Sequence, residues 1–260
     1  MGTRKDFLNL RDTQYAPKGD TGFHSEHGLD ATDSERRAFL FACSGALASA
    51  AVQISTAATA QPSTAMTGRS SAQTLVKYAN SILSDEQGLV FKASAIKPLT
   101  NYLFHYPYIA TPCLLLNLGR DVGGAGKSKS IVAFSAICSH KLAYPAREVS
   151  FIRFQAKASS HSEAERIHCC ADHSVYDPAQ GAKVVTGPAP VALAAVLLEY
   201  DAKSDSLRAA GVSGVNQFDA FFAKYDFKLN LEFGNRSRSA VGGTTRLQEL
   251  TQFCRNVAQC

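Results

Sequence analysis

His168-Cys169-Cys170-Ala171-Asp172-His173-Ser174-Val175-Tyr176-Asp177-Pro178 and, earlier in the chain, Cys138-Ser139-His140-Lys141 are the two stretches on which the reading of this sequence turns; 29 residues stand between His140 and Cys170. Each stretch holds a cysteine and a histidine one or two residues apart, so each can present one sulfur and one ring nitrogen from a single turn. Taken together, Cys138, His140, Cys170 and His173 make a set of two soft thiolates and two imidazoles. Zinc accepts such a set tetrahedrally. A two-iron, two-sulfide cluster, with both thiolates on one iron and both imidazoles on the other, is the alternative. Zinc fingers place their cysteines close together and their histidines close together, whereas here each segment contributes one of each.

The surrounding sequence reads as β structure. Short runs rich in β-branched and aromatic residues at 101–108, 113–118, 130–138, 151–155, 191–200 and 206–210 are the predicted strands. Pro107, Pro112, Gly119, Gly123-Gly124 and Gly181 punctuate them as turns. A helix is expected over 217–225, where Phe218, Phe221, Phe222 and Tyr225 recur at helical spacing, and a short helix over 74–83 at the end of a Ser/Thr/Ala-rich linker. The aromatic stripe of the first helix is read as core. No repeat of 20–50 residues is present. The expected class is all-β, a many-stranded antiparallel domain.

Cys-x-His followed by Cys-x-x-His resembles the Rieske proteins, and so do Asp177-Pro178-Ala179-Gln180-Gly181 and Gly187-Pro188-Ala189-Pro190, which resemble the stretch after their second cluster loop and its proline loop. The resemblance covers roughly residues 107–211. It implies an antiparallel β-sandwich with two cluster-binding loops carrying one 2Fe-2S cluster. By position, Cys138 and Cys170 would bind the inner iron, and His140 and His173 the outer, reducible one. Ser174 resembles the serine that donates to a bridging sulfide, and Tyr176 the tyrosine that donates to a cysteine sulfur; both bonds would raise the potential. Counting back from Tyr176 without a gap places Cys169 on the family cysteine and His173 one position late, so Cys169 is the alternative to Cys170. The family glycine after the second histidine is replaced by Ser174. Ala143 and Ala171 stand where members from quinol-oxidising cytochrome complexes carry an inter-loop disulfide.

Composition narrows the setting. The 260 residues are 45% hydrophobic and 19% charged, ordinary for a folded chain. The net charge of +5 comes without any Lys/Arg-rich run, which leaves nucleic-acid binding without support. No window holds 18 uninterrupted apolar residues, so a polytopic membrane protein is excluded. Ser34-Glu35-Arg36-Arg37-Ala38-Phe39-Leu40, the small apolar run 38–52 and Ala58-Thr59-Ala60 before Gln61-Pro62 resemble a twin-arginine export signal with an A-x-A cleavage pattern. An uncleaved signal would act as an anchor helix. The expected organisation is an N-terminal extension with signal or anchor over 1–60, a linker and lead-in over 61–100, the cluster domain over 101–211 and a C-terminal extension with its helix over 212–260. Cys254 and Cys260 are spaced so that they can pair in an oxidising compartment, Cys113 reads as a buried thiol, and His161 and His168 as surface or core residues.

No phosphate-binding glycine loop, nucleophile elbow or supported pair of carboxylates is found. The role that the resemblance implies is electron transfer as an iron-sulfur subunit of an oxidoreductase or respiratory complex, and the twin-arginine pattern leads us to expect it in the bacterial periplasm, soluble or anchored to the inner membrane. What the resemblance implies for partners is a cytochrome b-like or molybdenum subunit (as in arsenite-oxidase-like enzymes) as donor and a c-type cytochrome as acceptor. A zinc-stabilised, non-redox β domain serving as an interaction subunit, or a ferredoxin feeding an oxygenase, are the rival readings.

Overall fold

The computed structural model describes residues 74–160 and 162–260. The twin-arginine segment, the cleavage pattern and His161 lie outside the described residues. In chain order the strands are β1 (Leu75–Ser84), β2 (Tyr102–His105), β3 (Pro112–Asn117), β4 (Ile131–Ser135), β5 (Val149–Ser150), β6 (Ile152–Gln155) and β7 (Arg166–Cys169). They continue with β8 (Ser174–Asp177), β9 (Lys183–Thr186), β10 (Ala195–Asp201) and β11 (Ser206–Ser213). Helix α1 (Asn216–Phe233) follows, then β12 (Thr244–Arg246), β13 (Gln248–Glu249), the single-turn α2 (Leu250–Phe253) and β14 (Asn256–Val257).

An eight-stranded sheet runs β12-β1-β11-β10-β4-β3-β2-β13, and a four-stranded sheet runs β6-β7-β8-β9. Pairing is antiparallel except for β1 with β12 and β5 with β14, which are parallel. The fold is mostly β, and the middle of the large sheet is covered on both faces. Successive side chains of a strand point to opposite sides. Accordingly Tyr102, Phe104, Cys113, Leu115 and Ala133 enter one core with α1, while Leu103, Leu114, Leu116 and Phe134 enter a second core with the small sheet. This double burial explains why β3 reads Cys-Leu-Leu-Leu without alternation. Each such Leu or Phe withdrawn from water contributes about 1.5–3 kcal/mol before the entropy of ordering it is counted.

The predicted short helix over 74–83 is a strand. Residues 75–84 pair with β11 on one side and β12 on the other, and Leu83 is fully buried between them. Tertiary pairing outweighs the mild helical character of that stretch. Helix α1 runs eight residues beyond the predicted end at 225, because Leu229 extends its buried face and Gly234, in the left-handed conformation, closes it by donating to the Asn230 carbonyl. Phe218, Phe221 and Phe222 are core residues, as the aromatic spacing indicated. Residues 212–260 supply three strands, β12, β13 and β14, paired with β1, β2 and β5. Among the described residues no helix is long and apolar enough to cross a membrane.

Candidate metal centre

The first turn of the candidate centre follows β4. The Cys138 amide donates to the Ala143 carbonyl at 2.9 Å and the Leu142 amide returns to the Cys138 carbonyl at 3.0 Å, closing a tight loop around Ser139, His140 and Lys141. Cys138 is fully buried in the second core, while two residues on the His140 side chain is 36% exposed. Its Nδ1 nevertheless faces the carboxylate of Asp172, 3.0 Å from Oδ2. Helix α1 steadies this turn from outside: Lys224 Nζ donates to the Lys141 carbonyl at 2.6 Å, and Tyr144 packs edge-on to Phe221 and Tyr225 with ring centroids 5.0 Å apart.

The second turn is the tip of the β7–β8 hairpin, in which Cys169 pairs with Ser174 and Ile167 with Tyr176. Cys169 and Ile167 therefore point to the same side, into the second core beside Cys138 and Tyr176. Cys170, one residue further, points the other way. Its amide donates to the Phe151 carbonyl at 2.6 Å and its sulfur is joined to Cys260 in a disulfide closing 90 residues of chain. The expectation that Cys170 supplies the second thiolate does not hold, because strand alternation turns it away from Cys138 and its sulfur is already bonded. The suggested Cys254–Cys260 disulfide is likewise replaced by Cys170–Cys260, and Cys254 is a buried free thiol. Cys113 is a buried thiol as expected, and His168 sits in β7, buried beside Ser162 with Nε2 and Oγ 2.7 Å apart.

His173 is also not brought to the site. It occupies a left-handed backbone conformation (φ 61°), its amide donates to the Cys169 carbonyl at 2.8 Å, and its side chain is exposed. The residue before it points inward instead: the Asp172 side chain is 2% exposed. One of its oxygens, Oδ1, accepts from the Ser174 amide at 3.0 Å; the other, Oδ2, lies 3.1 Å from Cys138 Sγ. The ligand atoms of Cys138, Cys169 and Asp172 all fall within 4.8 Å of one another.

A third segment brackets both turns. Ser174 Oγ accepts from the Ala189 amide at 3.1 Å, and Ser139 Oγ donates to the Val191 carbonyl at 2.7 Å. Gly187 lies so close to the hairpin tip that a Cβ would meet Ser174 Cα at 2.5 Å and the His173 carbonyl oxygen at 2.7 Å. Tyr176 is fully buried, with its hydroxyl 3.5 Å from Cys138 Sγ and 3.4 Å from Ser139 Oγ. Ser174 is fully buried as well.

Three acidic groups crowded into an apolar pocket share their protons. Hydrogen bonding from Cys169 draws Cys138 down to about 7 against the opposing effect of burial, with Tyr176 adding to the same effect. The same pairing, with burial, pushes Cys169 up. Burial opposes ionisation of Asp172, but the hydrogen bonds from Cys138, the Ser174 amide and Cys169 outweigh it and hold the carboxyl below its usual value. Burial and the neighbouring Cys138 sulfur raise Tyr176, so the phenol remains a donor. A carboxylate and a sulfur so close, buried together, need either a proton or a metal cation between them. Among the described residues the only ion-pair partner of Asp172 is His140. Two sulfurs within 4.8 Å can share one tetrahedral metal ion, whose bonds to sulfur are about 2.3 Å.

Asp172 is the residue of this site that the motif reading missed. The ungapped count from Tyr176 to Cys169 was its one signal, because the same count places Asp172 where a second histidine would stand. No family model matches the chain. Among solved structures it is similar to the soluble domain of the Rieske protein II (soxF) from Sulfolobus acidocaldarius, with 26% identity over 52% of this chain and 78% of that one and a TM-score of 0.40.

Proposed function

We propose that this chain carries a two-iron, two-sulfide cluster between its two turns and serves as an electron-transfer subunit of an exported oxidoreductase. The observation that carries the reading is the convergence of Cys138 and Cys169 at the floor of a pocket whose rim bears the His140 imidazole, with one proline-containing segment clamping both turns. The donor set fits: buried sulfurs suit the inner iron of a mixed sulfur and nitrogen site, and a partly exposed imidazole suits an outer one. When bound, such a cluster supplies one-electron chemistry at the protein surface.

The chain's own residues then have definable tasks. Cys138 and Cys169 would hold the cluster from the core side, where the surrounding Ile152, Phe154 and Ile167 exclude water. His140, its side chain 36% exposed, would hold the outer side of the cluster from the rim. Tyr176 donates toward the Cys138 sulfur, and Ser174, oriented by the Ala189 amide, keeps its hydroxyl proton for an acceptor in the pocket. Both donors withdraw electron density and favour reduction. The exposed Val191 side chain beside the clamp and the Lys141 turn form the face on which a redox partner would dock. The twin-arginine pattern and a disulfide near the centre support an oxidising, exported location. A cytochrome b-like or molybdenum subunit as donor and a c-type cytochrome as acceptor agree with that location.

The test is iron and acid-labile sulfide analysis of the full chain with visible absorption and electron paramagnetic resonance after dithionite. Two irons and two sulfides per chain with a low-average-g signal are expected, and a His140→Ala variant should lose the signal. A colourless protein with stoichiometric zinc would overturn the cluster and favour the interaction-subunit reading.

A further inference from the structure

We propose that Asp172, and not a second histidine, is the fourth ligand of the centre, so that sulfur, sulfur, nitrogen and oxygen are contributed by Cys138, Cys169, His140 and Asp172. The inference deepens the cluster reading and rests on it for the identity of the metal. It stands on the shape of the β7–β8 tip. Between the paired residues Cys169 and Ser174 only four residues are available. The amides of Asp172 and His173 both turn back to the Cys169 carbonyl, at 3.3 and 2.8 Å, which curls the chain sharply. Within that curl Asp172 has its side chain folded inward and His173, past the left-handed corner, has its own turned to solvent.

The carboxylate is also oriented. The Ser174 amide holds Oδ1, which leaves Oδ2 between the His140 Nδ1 and the Cys138 Sγ. A buried carboxylate with no lysine or arginine paired to it among the described residues is costly unless a cation compensates it. A metal held by the same atoms supplies that charge. Replacing a neutral imidazole by a carboxylate adds one negative charge to the centre and removes one of two titratable ring nitrogens. Relative to a centre with two histidines, the expected consequence is a lower midpoint potential, set by the added charge of Asp172.

The experiment uses the full-length chain and its Asp172→Ala, Asp172→His, His173→Ala and His140→Ala variants, each checked for folding by circular dichroism. Pulsed electron paramagnetic resonance of the dithionite-reduced protein counts directly bound nitrogens. One strongly coupled nitrogen is expected in the wild type, the same spectrum in His173→Ala, two nitrogens in Asp172→His, and at least about a tenfold loss of bound iron in Asp172→Ala. Two coupled nitrogens in the wild type, one of them lost in His173→Ala, would overturn the assignment. If the protein contains no cluster, cobalt(II) added to the metal-free chain decides the ligand independently. Weaker binding in Asp172→Ala but not in His173→Ala is expected; the opposite order, or no cobalt binding at all, refutes it.

Discussion

The two turns of the candidate centre are built on different principles. The first, after β4, is closed by its own backbone and steadied by α1 through one lysine-to-carbonyl bond. The second is a hairpin tip held from outside by a disulfide to Cys260 and by the close approach of Gly187. In the first, a cysteine and a histidine two positions apart both face the candidate centre, one fully buried and one partly exposed. In the second, consecutive strand residues face opposite sides, so only one cysteine of the pair can enter the core, and the turn selects Asp172 over His173. Spacing along a loop anticipates which side chains converge when the loop is free-standing, and does so poorly when a β ladder dictates which side each residue faces.

Cutting the tether of the second turn should have the largest effect. Cys260→Ser opens a 90-residue loop and is expected to destabilise the folded chain by roughly 4 kcal/mol, measured by denaturant unfolding. Cys170→Ser should match it, and bound metal in both variants should loosen rather than vanish. A Cys170→Ser protein that cannot bind metal although it folds would break the distinction between the neighbouring cysteines.

Acid should act next, on the C-terminal segment that carries the tether. His105 packs against Phe253, with ring centroids 5.7 Å apart, and burial, with Arg147 nearby, lowers it to about 4. Unfolded, it would titrate near 6.5, so between these values the unfolded chain binds the extra proton. Stability is fully present above about pH 6.5 and falls as pH drops toward 4, by at most about 3 kcal/mol. Thermal unfolding of His105→Gln across that range should show a flatter profile than the wild type.

Gly187→Ala tests the clamp. With φ at 95° and backbone atoms of the hairpin tip under 3 Å from the new Cβ, a loss of about 2–3 kcal/mol is expected. The smallest effect belongs to the first turn: Lys224→Met removes one exposed bond to the Lys141 carbonyl and should cost about 1 kcal/mol or less. A larger loss there than in Gly187→Ala would reverse the order of the two turns.

The β class, six of the strands and the aromatic face of α1 were legible because apolar periodicity and turn residues act locally. Strands β7, β8 and β9 were not among the predicted strands: each is only four residues long and mixes polar with apolar side chains, which hides the pattern. β1 looked helical because its partners, β11 and β12, are more than a hundred residues away. Residues 212–260 gave no hint of their task, since one end of that segment braces the first turn and the other pins the second.

By itself, the chain of residues marked two turns of a β domain as the places where sulfur and nitrogen donors cluster, because donor chemistry and strand propensity are properties of single residues and near neighbours. Which cysteine of an adjacent pair enters the core, which is oxidised, and whether a carboxylate or an imidazole faces the buried sulfurs were decided only by the tertiary structure. Those choices depend on the sidedness of a paired strand and on contacts with residues ninety positions away, and neither is written in local spacing.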